Sequence, residues 1–161
     1  MTDLVVRPAT PADLAALVAL RLANAEAHLA LDPAGYRMPR RDAVTAHFRA
    51  VLTAGRDAIL VATNADGRVL GMVEVLLLPD PPEHQILQPE SAAQVHTVVL
   101  PDARGLGVGA ALLAAAERWA AERHVSWLSA GIHHRNSGAV DFYRRHGYAD
   151  SGLSLGRRLG A

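Results

Sequence analysis

The chain has 161 residues, half of them hydrophobic, which is about the length of one compact domain that buries roughly 70% of its unfolded surface. Its 16 Lys and Arg residues balance its 16 Asp and Glu residues, so no overall charge draws it to nucleic acid or to an anionic membrane, and neither partner is expected. Cysteine is absent, which excludes disulfides, a cysteine nucleophile and thiolate metal sites.

Two helices are predicted in the first third of the chain. A short strand at residues 4–7 precedes Thr10, which is suited to cap a helix that runs to about Ala30. Helical spacing of apolar residues from 41 to 53, ending before Gly55, predicts the second helix. No run approaches the ~18 consecutive apolar residues of a membrane span, and the N-terminus lacks a secretory pattern, so a cytoplasmic protein is expected.

The following strands alternate with turns and one long loop. Runs at 58–63 and 68–78, joined by residues 64–67, predict an antiparallel hairpin. Residues 79–91 are polar and interrupted by proline, and are predicted to form an exposed loop. No internal repeat is present, so we expect a single domain over residues 1–161. The remaining elements are predicted to be a strand at 93–100, an alanine-rich helix ending at Arg123, a strand at 125–132, a helix at 137–146 and a final strand at 153–158.

Three glycines lie between the strand at 93–100 and the alanine-rich helix: Gly105, Gly107 and Gly109. Without side chains there, unpaired N–H groups at the helix N-terminus can contact phosphate oxygens, and Arg104 can add a cation. A glycine-rich connection without a ligand is the plainer interpretation. The run 105–110 also satisfies the dinucleotide pattern G-x-G-x-x-G/A. However, four residues separate it from its strand and a hairpin precedes that strand, which does not fit a parallel βαβ unit.

A second pattern follows about 30 residues later, in the run Asn136-Ser-Gly-Ala-Val-Asp-Phe-Tyr143 and the Gly147-Tyr148 that comes after it. With it, the chain resembles the GNAT superfamily of N-acetyltransferases over essentially its whole length. The cofactor motif of that family, Q/R-x-x-G-x-G/A, is matched by Arg104, Gly107 and Gly109. Its second motif, N-x-x-A-x-x-F-Y followed by G-F/Y, is matched by Asn136, Ala139, Phe142, Tyr143, Gly147 and Tyr148.

The resemblance implies a fold, a cosubstrate and a proton donor. The fold is α/β: a mixed, mainly antiparallel seven-stranded sheet flanked by about four helices, in which the strands at 93–100 and 125–132 splay apart to admit pantetheine. Tyr143 is implied to protonate the departing thiolate. From the residues alone, Asn136 is also suited to cap a helix and Tyr143 to pack on the sheet. Acetyl-CoA is implied to contact main-chain groups at Val98 and Val99, together with Arg104, Gly105, Leu106, Gly107, Val108, Gly109 and Asn136.

The resemblance does not assign the general base. Many family members carry a carboxylate eleven residues before the Arg/Gln of the cofactor motif, where this chain has Ala93, and others carry one at the position of Gly131. His96, on the strand leading to the motif, has an ordinary pKa near 6.5 and is a candidate. Glu74, in the apolar strand beside it, is a second candidate for holding or deprotonating the amine. An outward-facing Glu74 and a water chain as base are the alternatives.

We therefore expect an N-acetyltransferase that moves the acetyl group of acetyl-CoA to a primary amine of a small molecule or peptide by direct attack in a ternary complex. A non-catalytic acyl-CoA-binding or sensor domain is the alternative, and a homodimer is compatible with the sequence. No metal site is expected, because His133 and His134 would face opposite sides of a strand. The acceptor is expected to contact the loop at 79–91 and the connection of the first two helices, near His28, Leu31, Asp32, Tyr36, Arg37 and Met38.

Overall fold

A computed structural model describes residues 3–160, which divide after Gly131 into two compact units. In the second unit lies α4 (Ser137–Arg145). Short 3-10 helices, Pro11–Asp13 and Pro101–Ala103, precede the first and third α-helices. The first unit contains, in chain order, β1 (Val5–Pro8), α1 (Leu14–Leu31), α2 (Arg41–Ala54), β2 (Ala58–Thr63), β3 (Val69–Leu77), β4 (Ala92–Val99), α3 (Val108–Ala121) and β5 (Trp127–Ser129).

The sheet has the strand order β1-β2-β3-β4-β5. Neighbours from β1 to β4 are antiparallel, and β5 is parallel to β4. The mixed, mainly antiparallel sheet and the four α-helices were predicted correctly. The expected count of seven strands was wrong, because residues 3–160 form five.

The largest error in that prediction lies near the C-terminus. Residues 153–158 form no strand in the described chain, and Leu153 and Leu155 are exposed. A strand is stable when its backbone pairs with a neighbouring strand and one of its faces is buried. This segment has no strand partner in the described chain, and its leucines are not buried. The strand predicted at 125–132 is reduced to β5, which pairs only with Ala92–Gln94 of β4.

Helices pack on both faces of the sheet. On β3, Met72 belongs to a core cluster with Leu17 of α1 and Phe48 of α2. Its neighbour Gly71 faces the other way, where an added Cβ would lie 3.2 Å from Val108 of α3. Because side chains alternate along a strand, the even-numbered residues from 72 to 76 face α1 and α2, and the odd-numbered residues face α3.

The start of α1 is joined to the sheet edge. Thr10 caps the preceding turn as predicted, and its N–H donates to Oδ2 of Asp13 at 2.7 Å. The same carboxylate pairs with Arg7 of β1 at 2.8 Å. Contrary to expectation, Pro11–Leu31 has the length and apolar composition of a helix that could cross a membrane. In this fold, its buried residues Leu17, Val18 and Leu20 lie in the core cluster.

Turn residues end the elements where the sequence predicts. Gly55 ends α2 with a φ of 65°, and Gly67, with a φ of 79°, lies in the β2–β3 turn. The side chain of Asn64 accepts a hydrogen bond from the N–H of Arg68 at 2.9 Å, which stabilises that turn. The residues between β3 and β4 form the predicted loop, in which Ile86 is almost fully exposed.

Candidate active site

The start of α3 has the geometry of an anion-binding cradle. Gly105 and Gly107 have φ angles of 77° and 80°, in the left-handed region that glycine adopts without strain. The first helical bond of α3 runs from the N–H of Ala111 to the carbonyl of Gly107 (3.0 Å), so the N–H groups of residues 108–110 have no acceptor within the helix. No described atom lies within 4 Å of a Cβ built at either glycine, so the space beside the loop is open.

The side chains of this cradle have different surroundings. Arg104 and Leu106 are exposed, whereas Val108 is buried in the core. Val108 can therefore offer a ligand only its main chain, while the Arg104 guanidinium is free to reach a phosphate. Just before the cradle, Asp102 forms an ion pair with Arg68 at 2.8 Å, which offsets the negative charge of Asp102 beside the loop.

The pairing of β4 with β5 ends early. The ladder between them covers only Ala92–Gln94 and Trp127–Ser129, whereas β4 stays paired with β3 as far as Val99. This is the geometry expected of two strands that splay apart. Val98 and Val99 lie on this part of β4. The N–H of Leu100 donates to the carbonyl of Leu70 in β3 at 2.9 Å, and alternate residues of a strand bond the same neighbour, so the main-chain groups of Val98 are directed at β3. The main chain of Val99 instead faces the edge that β5 leaves unpaired, where it is suited to contact a cofactor.

Titratable side chains from four elements meet on the α1/α2 face of the sheet. Glu74 of β3 is only 2% exposed, and its Oε2 accepts a hydrogen bond from the guanidinium of Arg21 in α1. His96 lies opposite Glu74 in the β3–β4 register, with its Nδ1 4.0 Å from Oε2. His47 of α2 places its Nε2 3.7 Å from the other oxygen, Oε1. We call Arg21, His47, Glu74 and His96 the Glu74 cluster; it brings together two of the predicted catalytic residues.

His96 is the member of the cluster suited to accept a proton. Desolvation by burial lowers its pKa below the ordinary value of 6.5; the negative charge of Glu74 opposes this only in part, and the charges of Arg21 and His28 lower the pKa further. At neutral pH the ring is therefore uncharged and offers a lone pair. Its side chain is about half exposed, so a substrate can reach it.

The two positions where family members commonly carry a carboxylate are filled differently here. Ala93 is fully buried, and a carboxylate there would be desolvated. A Cβ added at Gly131 would lie 3.3 Å from Nε2 of Gln94, so a larger residue would displace that side chain. These surroundings leave the Glu74 cluster as the candidate for proton transfer in the first unit.

In the second unit, the two predicted site residues have clear local roles. Asn136 caps α4, because its Oδ1 accepts a hydrogen bond from the N–H of Ala139 at 3.2 Å. Tyr143 is 7% exposed, and its ring packs edge-on against those of Phe142 and Tyr148 at 5.1 and 5.2 Å. The capping interpretation of Asn136 is confirmed. Tyr143 packs on rings of its own unit, and its packing on the sheet stays a prediction, as do the cofactor and proton-donor roles of these two residues.

The histidine pair of the second unit departs from expectation. The rings of His133 and His134 stack at a centroid distance of 4.5 Å, so they do not face opposite ways. These residues follow β5 and lie outside any strand, so strand alternation does not apply to them. Within residues 3–160, no group of three or more potential ligands is placed to hold a metal ion.

Two members of the Glu74 cluster, Arg21 and His47, were not predicted from the sequence. A pattern could have indicated Arg21, because it lies one helical turn after Leu17 on the apolar stripe of α1, where a charged residue needs a partner. Glu74, an acid within an apolar strand, was the available partner. Since 53 residues separate the two, no local rule pairs them. His47 gave no comparable indication.

Comparison with known proteins places the chain among acetyltransferases. The model of the acetyltransferase (GNAT) family matches residues 24–148. No curated protein matches the sequence significantly.

Solved structures share the fold over nearly the whole chain. A mutant of the BH1408 protein from Bacillus halodurans is 18% identical, with a TM-score of 0.84 and coverage of 96% of this chain and 99% of that one. A transcriptional regulator from Bacillus halodurans C-125 is 24% identical, with a TM-score of 0.75 and coverage of 97% and 99%. An aminoglycoside N-acetyltransferase in complex with CoA is 20% identical, with a TM-score of 0.74 and coverage of 100% and 97%. At such identities the likeness establishes the fold alone.

Proposed function

The chain belongs to the GNAT acetyltransferase family, and on that premise we propose that it moves the acetyl group of acetyl-CoA to a primary amine of a small molecule or peptide. One observation carries the proposal. β4 presents an uncharged, reachable imidazole at His96, and the chain that follows it leads into the open cradle at Gly105 and Gly107. We therefore infer that consecutive segments of one compact unit hold a proton acceptor and a phosphate-binding loop.

Acetyl-CoA fits the residues at the start of α3. Its pyrophosphate is assigned to the N–H groups of residues 108–110 and to Arg104, because helix N-termini and guanidinium groups both stabilise phosphate charge. Its pantetheine arm is assigned to the main chain of Val99, where β4 is no longer paired with β5. The main chain of Val98 is directed at β3 and is not available on that side. An aminoglycoside N-acetyltransferase of the same fold was solved with CoA, which supports this choice of cosubstrate.

The acceptor amine is assigned to the Glu74 cluster. A lysine-like ammonium has a pKa of about 10.4, so only about one molecule in 10³ is neutral near pH 7.4, and a base must take its proton. His96 takes that proton, and the neutral amine attacks the thioester carbonyl. Glu74, fixed by Arg21, stabilises the imidazolium that forms 4.0 Å away. A main-chain N–H of the β4 segment stabilises the developing oxyanion.

Collapse of the tetrahedral intermediate breaks the carbon–sulfur bond and releases CoA. Tyr143 is proposed to donate a proton to the leaving thiolate; this role rests on its place in the family motif. The attacking nitrogen loses its second proton to solvent as the amide forms, and the Tyr143 hydroxyl regains a proton from solvent. The chain contains no cysteine to carry an acetyl group between substrates, which supports direct transfer in a ternary complex.

The alternative is an acyl-CoA-binding sensor without turnover. It is favoured by Ala93 and Gly131, which leave both common base positions without a carboxylate. The test is to incubate the protein with acetyl-CoA and a panel of primary amines, and to follow free thiol and N-acetylated product by mass spectrometry. Equal amounts of thiol and N-acetyl product, in large excess over protein, are expected. Acetyl-CoA binding without turnover on any amine would establish the sensor instead.

A further inference from the structure

The guanidinium of Arg21 is fixed on two sides and open on a third. Nη2 donates to Glu74, and the guanidinium carbon lies 5.3 Å from the ring centroid of Phe48, which is fully buried beneath it. Nε is buried. Nη1 makes no hydrogen bond to any residue between 3 and 160 and is not buried, and the side chain retains 26% exposure. Arg21 therefore presents one preorganised donor edge to the solvent-accessible side of the cluster.

Glu74 and the acids that follow α1 and α2 already accept hydrogen bonds within the protein. Glu74 is neutralised by Arg21 itself. Asp32, in the connection after α1, accepts hydrogen bonds from the N–H groups of Ala34 and Gly35. Asp57 accepts one from the N–H of Leu77. Glu26 lies five residues after Arg21 and is exposed on another side of α1.

The remaining titratable groups at the cluster are imidazole rings. His47 and His96 flank Glu74 on two sides, and both are about half exposed. His28 follows Arg21 by two helical turns, and its charge acts on His96. A bound molecule thus meets a guanidinium edge and imidazole rings, with no carboxylate that lacks a partner.

We propose that the acceptor carries a carboxylate close to its amine, and that the open edge of Arg21 binds this carboxylate. This inference rests on the proposed function. Arg21 and His96 lie against the same oxygen of Glu74. One small molecule can therefore place its carboxylate on Arg21 and its amine at His96, as an amino acid or a short peptide acid does. A polycation such as an aminoglycoside would need several free carboxylates, which this cluster does not offer.

The experiment compares amino acids with their primary carboxamides as acceptors, with an aminoglycoside included as a polycation. Each acid–amide pair differs only in the charge that Arg21 would bind. In the wild type we expect kcat/KM for the best acid to exceed that for its amide by about 10-fold or more, as is typical of a charge-assisted pair. The aminoglycoside is expected to be the poorest acceptor.

Two variants test the assignment to Arg21. Arg21→Lys keeps the positive charge that pairs with Glu74 but removes the N–H groups of Nη1, which form the open edge. The double change Arg21→Gln with Glu74→Gln leaves no unpaired buried charge, so the ratio can be measured even if the single change disturbs folding. Both should bring the acid-to-amide ratio close to one. The matched control is Arg49→Gln, which removes an exposed arginine from α2 and should leave the ratio unchanged.

The possible results separate this inference from the proposed function. Turnover of amines with no preference for acids over amides, or a preference that survives both Arg21 variants, overturns the carboxylate assignment and leaves the acetyltransferase intact. Acetyl-CoA binding with no turnover of any amine overturns both.

Discussion

At the scale of single residues, Tyr143 is the side chain whose hydroxyl the proposed chemistry needs. Tyr143→Phe keeps the ring and its contacts with Phe142 and Tyr148, and removes only the proton donor. We expect an intact fold, unchanged affinity for acetyl-CoA and a kcat lower by about 10²-fold, since thiolate is already a tolerable leaving group. Thiol release and calorimetric titration measure the two quantities. Tyr148→Phe, the same deletion on the neighbouring ring, is the control, and a Tyr143→Phe protein with full kcat would make that residue structural.

His96 predicts the pH dependence of the reaction. Its folded pKa lies below 6.5, so the ring loses its proton, and becomes a base, at a lower pH than free histidine. We expect kcat/KM to rise through an acid limb centred below pH 6.5, and to rise again as the acceptor amine itself deprotonates. His96→Gln should lower kcat/KM by about 10²-fold near pH 7 and remove the acid limb.

The control for His96 is His134→Gln, in the second unit, which should retain the full profile. An unchanged acid limb in His96→Gln would assign the proton to water instead.

The Glu74 cluster shows what could be predicted at this scale. The sequence indicated Glu74 and His96 separately as candidate catalytic residues. Glu74 is an acid within an apolar run, and His96 lies near the cofactor motif. Strand alternation alone could not place Glu74, because every residue from Leu70 to Val75 is buried and both faces of β3 are covered. The partnership with Arg21 and His47 depends on how two helices pack over the sheet, which is not encoded locally.

At the scale of elements, valine substitutions can test whether the loop that opens α3 binds acetyl-CoA. The β2–β3 turn has a glycine with the same φ and serves as the control. Gly107 and Gly67 have φ angles of 80° and 79°, and neither has a described atom within 4 Å of a built Cβ. Valine at either position should therefore destabilise the fold similarly, by about 1–2 kcal/mol. Only Gly107→Val should also abolish acetyl-CoA binding, since its side chain would lie where phosphate approaches.

Calorimetric titration beside thermal unfolding checks this pair. Equal loss of acetyl-CoA affinity in Gly67→Val would show that the effect comes from strain and not from the cradle. Unchanged affinity in a folded Gly107→Val protein would move the pyrophosphate elsewhere.

The start of α1 predicts a stability change with pH. The hydrogen bonds from Arg7, aided by the N–H of Thr10, lower the pKa of Asp13 from 3.8 to about 2. Since a depressed acid stabilises the fold while ionised, this contribution is complete above about pH 4 and is lost as the pH falls through about 2. Because Arg7 is 38% exposed, solvent screens the ion pair, and ionised Asp13 is expected to add about 1–2 kcal/mol to the free energy of unfolding.

Asp13→Asn should therefore lower the free energy of unfolding at pH 7 by that amount, with the difference vanishing toward pH 2. Urea unfolding at the two pH values measures it. Asp42→Asn, which removes an exposed ion pair with Arg40, is the control and should change little. A pH-independent loss in Asp13→Asn would mean that packing, and not charge, fixes the helix start.

Prediction of the elements succeeded where the pattern is local. α1 and α2 ended within one residue of the predicted positions, since capping and glycine residues mark these ends. The hairpin and the loop after it were also correct. The strand predicted at 153–158 failed because strand formation depends on a partner that the segment itself does not specify.

At the scale of the whole molecule, the proposed enzyme binds both substrates before chemistry begins. The family motifs predicted the fold class and the cosubstrate, because they are short, ordered and tied to a strand–loop–helix pattern. They did not predict the acceptor, since the site proposed for it is formed by side chains from α1, α2, β3 and β4 that lie far apart in sequence.

Direct transfer in a ternary complex is tested by the initial velocity of thiol release, measured while the concentrations of acetyl-CoA and of the best amine are both varied. Direct transfer requires a ternary complex, so the double-reciprocal lines should intersect, and protein incubated with acetyl-CoA alone should carry no acetyl group by mass spectrometry. Parallel lines together with an acetylated protein would contradict direct transfer, because they would mean that a residue of the chain accepts the acetyl group first.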